Sequence, residues 1–127
     1  MERELVLKKC LKCGALVNVI KDCKCESGCG IKCCGETMKV IVPNTEEAAF
    51  EKHVPTYEIS GEEIKVKVNH VMEDEHYIEW ISMVTEKEEI KKFFKPGEIA
   101  ECTFRYVKGA KLYSYCNKHL LWMNEVK

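Results

Sequence analysis

Cys116 and His119 stand three residues apart near the C-terminal end of the chain, in "YSYCNKHLLW". One tight turn can aim a thiol and an imidazole at that spacing toward a single metal ion. Three more histidines occur: His53 in "FEKHVP", His70 in "VNHVM" and His76 in "DEHYIEW". Taken singly, each is more simply a surface or satisfied core residue. Taken together they stand where turns meet strands, the place at which an open sandwich gathers its loops. Four imidazoles and one thiolate make five donors. That is more than the four of a closed zinc site, and more than the three plus water of a catalytic one. Imidazole with thiolate suits iron, with a sixth position open to a small ligand. The arithmetic points to redox chemistry at non-haem iron.

The remaining thiols form a second constellation. Nine cysteines occur in 127 residues, and seven of them lie between Cys10 and Cys34. An odd count, with no export signal in "MERELVLKKC", argues against a disulfide framework and for metal. "KKCLKCG" supplies Cys10 and Cys13, and "IKCCGE" supplies the adjacent pair Cys33 and Cys34. Two pairs separated by a loop suffice for a tetrahedral four-sulfur site. A zinc knuckle that does no more than fold residues 1–38 fits the same spacing. Cys23, Cys25 and Cys29 are alternative ligands, a redox-active pair or bystanders, and bystander is the expectation because the outer pairs already fill four positions. Cys102, on "ECTFRY", reads as a small core residue.

These side chains must be positioned by something, and the composition says what. Twenty basic against twenty-one acidic residues give a net charge of −1, which offers nothing to nucleic acid or a membrane surface. No apolar run nears the ~18 residues of a membrane span. A soluble, cytoplasmic protein is expected. Residues 1–38 are poor in large apolar side chains and rich in Cys, Gly and Lys, so metal must supply their folding energy. Residues 39–127 form the second domain. Asn44 or Thr45 is expected to cap a short helical turn, with Glu47 closing a capping box behind Asn44, and Pro55 ends any helix. Beyond it the pattern has period two. Ile64, Val66, Val68 and His70 share one face; His76, Ile78 and Trp80 share a parity, with Tyr77, Ile81 and Met83 opposite. "IKKFF", "IAECTFRYV", "KLYSYC" and "HLLWMNEV" continue it, with turns at Ser60-Gly61, Pro96-Gly97 and Lys108-Gly109. The fold class is mainly β: about seven short strands in an antiparallel sandwich of immunoglobulin-like type.

"CLKC…CC", "EKHVP", "NH-x-M-x-x-x-H-Y-I-x-W" and "C-N-x-H-x-x-W" fall in one order along the whole chain. That series resembles desulfoferrodoxin, the two-iron form of superoxide reductase. The resemblance implies a desulforedoxin-like domain holding one iron in Cys10, Cys13, Cys33 and Cys34. It implies a second iron in the immunoglobulin-like domain, with His53, His70, His76 and His119 equatorial and Cys116 axial. Glu51 and Lys52, from the family's "E-K-H", would flank the open position. The family further implies a cytoplasmic homodimer of anaerobic or microaerophilic cells, fed with electrons by a rubredoxin-like donor. The chain departs from the family in three places. The Cys13–Cys33 loop is long and carries the extra cysteines, Val71 replaces a proline, and Leu120 replaces a glycine. If that last backbone position needs φ > 0, leucine is strained there.

The implied reaction is reduction of superoxide to hydrogen peroxide with one electron and two protons. Thiolate at Cys116 pushes electron density toward the ligand trans to it, and backbone N–H groups from Asn117 to His119 moderate the push. Lys52 attracts the anion and orders water for protonation, and Glu51 closes the sixth position afterwards. A non-catalytic iron electron carrier and a zinc-folded binding module are the competing classes; five donors with an open position disfavour both.

Overall fold

Apolar residues alternate with polar ones along most of the chain after Pro55. The computed structural model, which describes residues 3–24 and 30–127, turns that alternation into paired strands. Two compact units result: Leu5–Val42, and Pro43–Lys127 together with Arg3 and Glu4.

In the first unit β1 (Leu7–Lys9) pairs antiparallel with β2 (Leu16–Asn18). A tight hairpin joins β3 (Lys32–Cys33) to β4 (Glu36–Thr37), and β5 (Lys39–Ile41) pairs with the free side of β1. Because β5 belongs to this sheet, the unit runs four residues past the boundary expected after residue 38. Leu5, Leu7, Met38 and Ile41 are its buried aliphatic and thioether side chains. Strands of two or three residues are too short to persist by pairing alone, so a metal tie is what such a unit needs.

The second unit is a sandwich of three strands against four. One sheet runs in the order β10 (Glu101–Arg105), β7 (Glu63–Lys67), β6 (Thr56–Ser60); the other runs β12 (Leu120–Glu125), β11 (Lys111–Cys116), β8 (Ile78–Val84), β9 (Glu89–Phe93). All pairings are antiparallel. Gly61, at φ +60°, closes the two-residue loop between β6 and β7, the conformation such a hairpin demands. Ile64, Val66 and Val68 from one sheet meet Ile78, Ile81, Met83 and Leu112 from the other. Each large side chain buried this way contributes about 1.5–3 kcal/mol.

Two sequence expectations are corrected here. Ile78 does not share Trp80's face: it reaches the core with Ile81 and Met83. Tyr115 pairs with Trp80 and Cys116 with Ile78, so Glu79 is an extra residue, and this bulge flips the alternation. Asn44 caps no helix. The helical turn is a 3₁₀ turn at Phe50–Lys52, preceded by Ala49 with no side-chain cap. Asn44 instead adopts φ +61° and pairs with β12: its N–H donates to Leu121 O, its Nδ2 to Met123 O, and its Oδ1 accepts from Met123 N–H. A tertiary partner outbid the local cap.

Candidate metal centres

The core of the sandwich ends at Cys116, whose side chain is fully buried. The bulge in β8 lies beside it, and the chain then turns through Asn117, Lys118 and His119 into β12. Cys116 pairs with Leu120 across that three-residue loop. Such loops need a residue in the left-handed region, and Leu120 supplies it at φ +62°. The backbone does require positive φ, and leucine bears roughly 1–2 kcal/mol for it. Trp122 Nε1–H donates to His119 O at 2.9 Å and braces the turn.

Four imidazoles surround the sulfur. Ring centroids lie 4.6 Å apart for His53 and His70, 4.6 Å for His70 and His76, 5.1 Å for His76 and His119, and 4.9 Å for His119 and His53. These four neighbouring pairs close a ring. Cys116 Sγ lies 3.5 Å from His70 Nε2 and 3.8 Å from His119 Nδ1. One donor atom from each of the five residues falls within 4.8 Å of every other.

Which nitrogens face inward follows from what the outer nitrogens do. His53 Nδ1 lies 2.8 Å from Ala49 O, and His70 Nδ1 lies against Val71 O. A carbonyl accepts only, so each Nδ1 carries the proton and each Nε2 presents a lone pair inward. His53 Nε2 faces His119 Nδ1 at 3.1 Å, and His76 Nε2 is buried with no hydrogen-bond partner among the described residues. Lone pairs packed this way repel unless a cation lies among them. Burial holds His53, His70 and His76 below the ordinary imidazole pKa, in the neutral form that binds metal. Burial pushes the Cys116 thiol up, while backbone N–H groups of Lys118 and His119 act on the sulfur in the opposite direction. These donors fit an iron ion.

Glu51 and Lys52 lie on the 3₁₀ turn just before His53, and both are exposed. Neither belongs to the converging donor set. Pattern reading missed the supports. Ser114 Oγ–H donates to His53 O at 2.6 Å, and Trp122 stacks on the His53 ring at 4.9 Å. Trp122 closes the C-N-x-H-x-x-W motif, but nothing in the sequence tied it or Ser114 to His53. Lys118, exposed beside the site, places a charge near both His76 and Cys116.

The first unit gathers Cys10, Cys13, Cys33 and Cys34 in the same way, all four sulfurs within 4.8 Å of one another. Cys10 and Cys13 flank a knuckle in which Cys10 N–H donates to Ala15 O and Gly14 N–H to Cys10 O. Adjacent cysteines both reach the site because Cys34 sits at φ +52° and Gly35 at φ +78°, in the hairpin turn after β3. Backbone N–H from Cys13 is the chief cause lowering Cys10 to about 7, while hydrogen bonding with the Cys13 sulfur is the chief cause raising Cys33 to about 12. Four crowded sulfurs cannot all ionise without a cation. Cys23 is exposed; Cys25 and Cys29 lie outside the described residues. Cys102 packs against the sandwich core, and burial raises its thiol to about 11.

All-sulfur and imidazole–thiolate sites, on a short β unit and an open sandwich, define the class: a small two-site non-haem iron protein. A family model described as Desulfoferrodoxin matches residues 45–125. The chain is 38% identical to the desulfoferrodoxin of Nitratidesulfovibrio vulgaris, over 98% of this chain and 99% of that one. The superoxide reductase of Treponema pallidum superposes with a TM-score of 0.68 at 31% identity, covering 96% of this chain and 99% of that one. The one-iron superoxide reductase of Giardia intestinalis gives a TM-score of 0.52 at 26% identity, covering 61% of this chain and 98% of its own. The chain belongs to the desulfoferrodoxin family.

Proposed function

We propose that this chain is a superoxide reductase, converting superoxide, one electron and two protons to hydrogen peroxide. The observation that carries the reading is the convergence of four imidazoles on a buried thiol, with the His53 and His70 tautomers set so that their lone pairs point inward. His53, His70, His76, His119 and Cys116 would hold the iron, which would bind the substrate and supply the electron.

The chain's own residues do the rest. Cys116 would give the iron a negatively charged, polarisable donor, and the N–H groups of Lys118 and His119 temper that charge. Lys52, exposed one residue before His53, attracts the anion and orders water that delivers protons. Glu51, exposed two residues before His53, would be the carboxylate available to the iron once product has left. A rubredoxin-like protein supplies the electron, and Phe50 and Val71, exposed beside His53 and His70, offer it apolar contact. The second iron sits in Cys10, Cys13, Cys33 and Cys34, and the working form is a cytoplasmic homodimer. Among the described residues no helix is long and apolar enough to cross a membrane.

Neighbouring residues make opposite predictions. Lys52→Ala removes one charge beside the open position, so the second-order rate with superoxide should fall about two- to fivefold at low salt. Its decline with added salt should flatten as well. Glu51→Ala should leave that first encounter nearly unchanged and shift the resting ferric spectrum. Pulse radiolysis at two ionic strengths reads both. Equal rates and equal salt slopes for Lys52→Ala and the parent would make Lys52 an ordinary surface lysine.

A further inference from the structure

We propose that Asn117 is a positioning residue, holding His76 in register with the Cys116–His119 turn so that ligands from two strands meet one ion. The inference rests on the four-imidazole, one-thiolate reading above.

Backbone pairing between β8 and β11 ends at Cys116 and Ile78, just where the bulge has shifted the register. His76 lies beyond that last pair. Asn117 carries the ladder onward with three hydrogen bonds. Its backbone N–H donates to Tyr77 O at 3.3 Å, its Oδ1 accepts Tyr77 N–H at 3.0 Å, and its Nδ2 donates to Glu75 O at 2.9 Å. The side-chain amide therefore grips the residues on either side of His76. The opposite flank is held by a bridge, in which His76 N–H donates to Glu73 O and Glu73 N–H to His76 O.

The grip matters more for His76 than for His53 and His70. His53 and His70 have rings anchored through Nδ1 to Ala49 O and Val71 O, and His53 also stacks on Trp122. His76 Nε2 is buried and, among the described residues, has no hydrogen-bond partner. Its orientation toward an ion comes through its backbone, and Asn117 is what ties that backbone to the strand bearing the sulfur. The chemistry demanded is specific. One side chain must accept from an N–H and donate to a carbonyl at once, which a short carboxamide does and a carboxylate cannot.

Asn117→Asp keeps the size and the acceptor but sets a carboxylate against Glu75 O; Asn117→Ala removes both groups. The test is cobalt(II) titration of the metal-free full chain, following the sulfur-to-cobalt and d–d bands, with His76→Ala as the reference for a lost ligand. Both Asn117 variants should fill the all-sulfur site as the parent does. Their imidazole–thiolate site should bind cobalt about 10–100-fold more weakly, with bands displaced toward those of His76→Ala. A merely structural role would weaken binding and leave the bands at saturation unmoved, so parental bands in both variants overturn the proposal, as does parental affinity. A parent chain that filled only the all-sulfur site would overturn the functional reading and this inference together. A parent filling two sites, with both variants indistinguishable from it, overturns this inference alone.

Discussion

Cys116→Ser should abolish the sulfur-to-iron absorption of the imidazole–thiolate centre and lower superoxide reduction on the order of a hundredfold, about 2.7 kcal/mol in barrier. The sulfur is fully buried at the end of the sandwich core, and it touches His70 and His119. Its backbone donors, Lys118 and His119, belong to the turn it begins. Serine fits the space but brings neither the charge nor the polarisable donor that a thiolate would give the iron. Cys102→Ser is the matched control. It exchanges a half-buried thiol that packs on the core and belongs to neither donor set, so spectrum and rate should stay near parental. Visible spectra and fast-mixing kinetics on the two iron-loaded variants decide between them. Retention of band and rate in Cys116→Ser would remove Cys116 from the metal.

The second large effect belongs to the first unit. Cys13→Ser leaves three sulfurs where four converge. The unit's strands are two or three residues long, and metal binding at a small structural site is folding free energy, about 10–16 kcal/mol for zinc in zinc-finger peptides. Iron should fall from about two per chain to about one, and residues 5–42 should become open to protease. The sandwich should keep its iron and most of its activity. Loss of activity in Cys13→Ser with the sandwich iron still bound would show that the two units work as one.

How much of this was legible in the sequence depended on the range of each interaction. The nine donor residues stood out because histidines are few and seven of the nine cysteines crowd between Cys10 and Cys34, and the structure brings all nine donors into two clusters. Six strands were legible from period two and from turn residues such as Gly61, Gly97 and Gly109. Other features depend on partners far along the chain. The bulge at Glu79 is set by pairing with β11 and not by its neighbours, so the faces of Ile78 and Trp80 could not be read locally. Asn44 carries a strong capping signature, yet β12 captured its side chain. Asn117 looked like one letter of a motif until Tyr77 and Glu75, some forty residues earlier, lay against it. The inward nitrogen of each histidine was likewise unreadable: His53 and His70 present Nε2 because a carbonyl takes the proton of Nδ1, whereas His119 presents Nδ1. Leu120 shows a partial success. The sequence identified the position where φ > 0 would be costly, and the hairpin geometry imposes it.

The central claim is that this centre reduces superoxide and does not disproportionate it. The direct test supplies iron-loaded full-length chain with superoxide and a one-electron reductant, and follows oxygen and hydrogen peroxide together. A reductase yields one hydrogen peroxide per superoxide, consumes one electron from the reductant, and releases no oxygen. Release of one oxygen for every two superoxide ions, with the reductant untouched, would contradict the account.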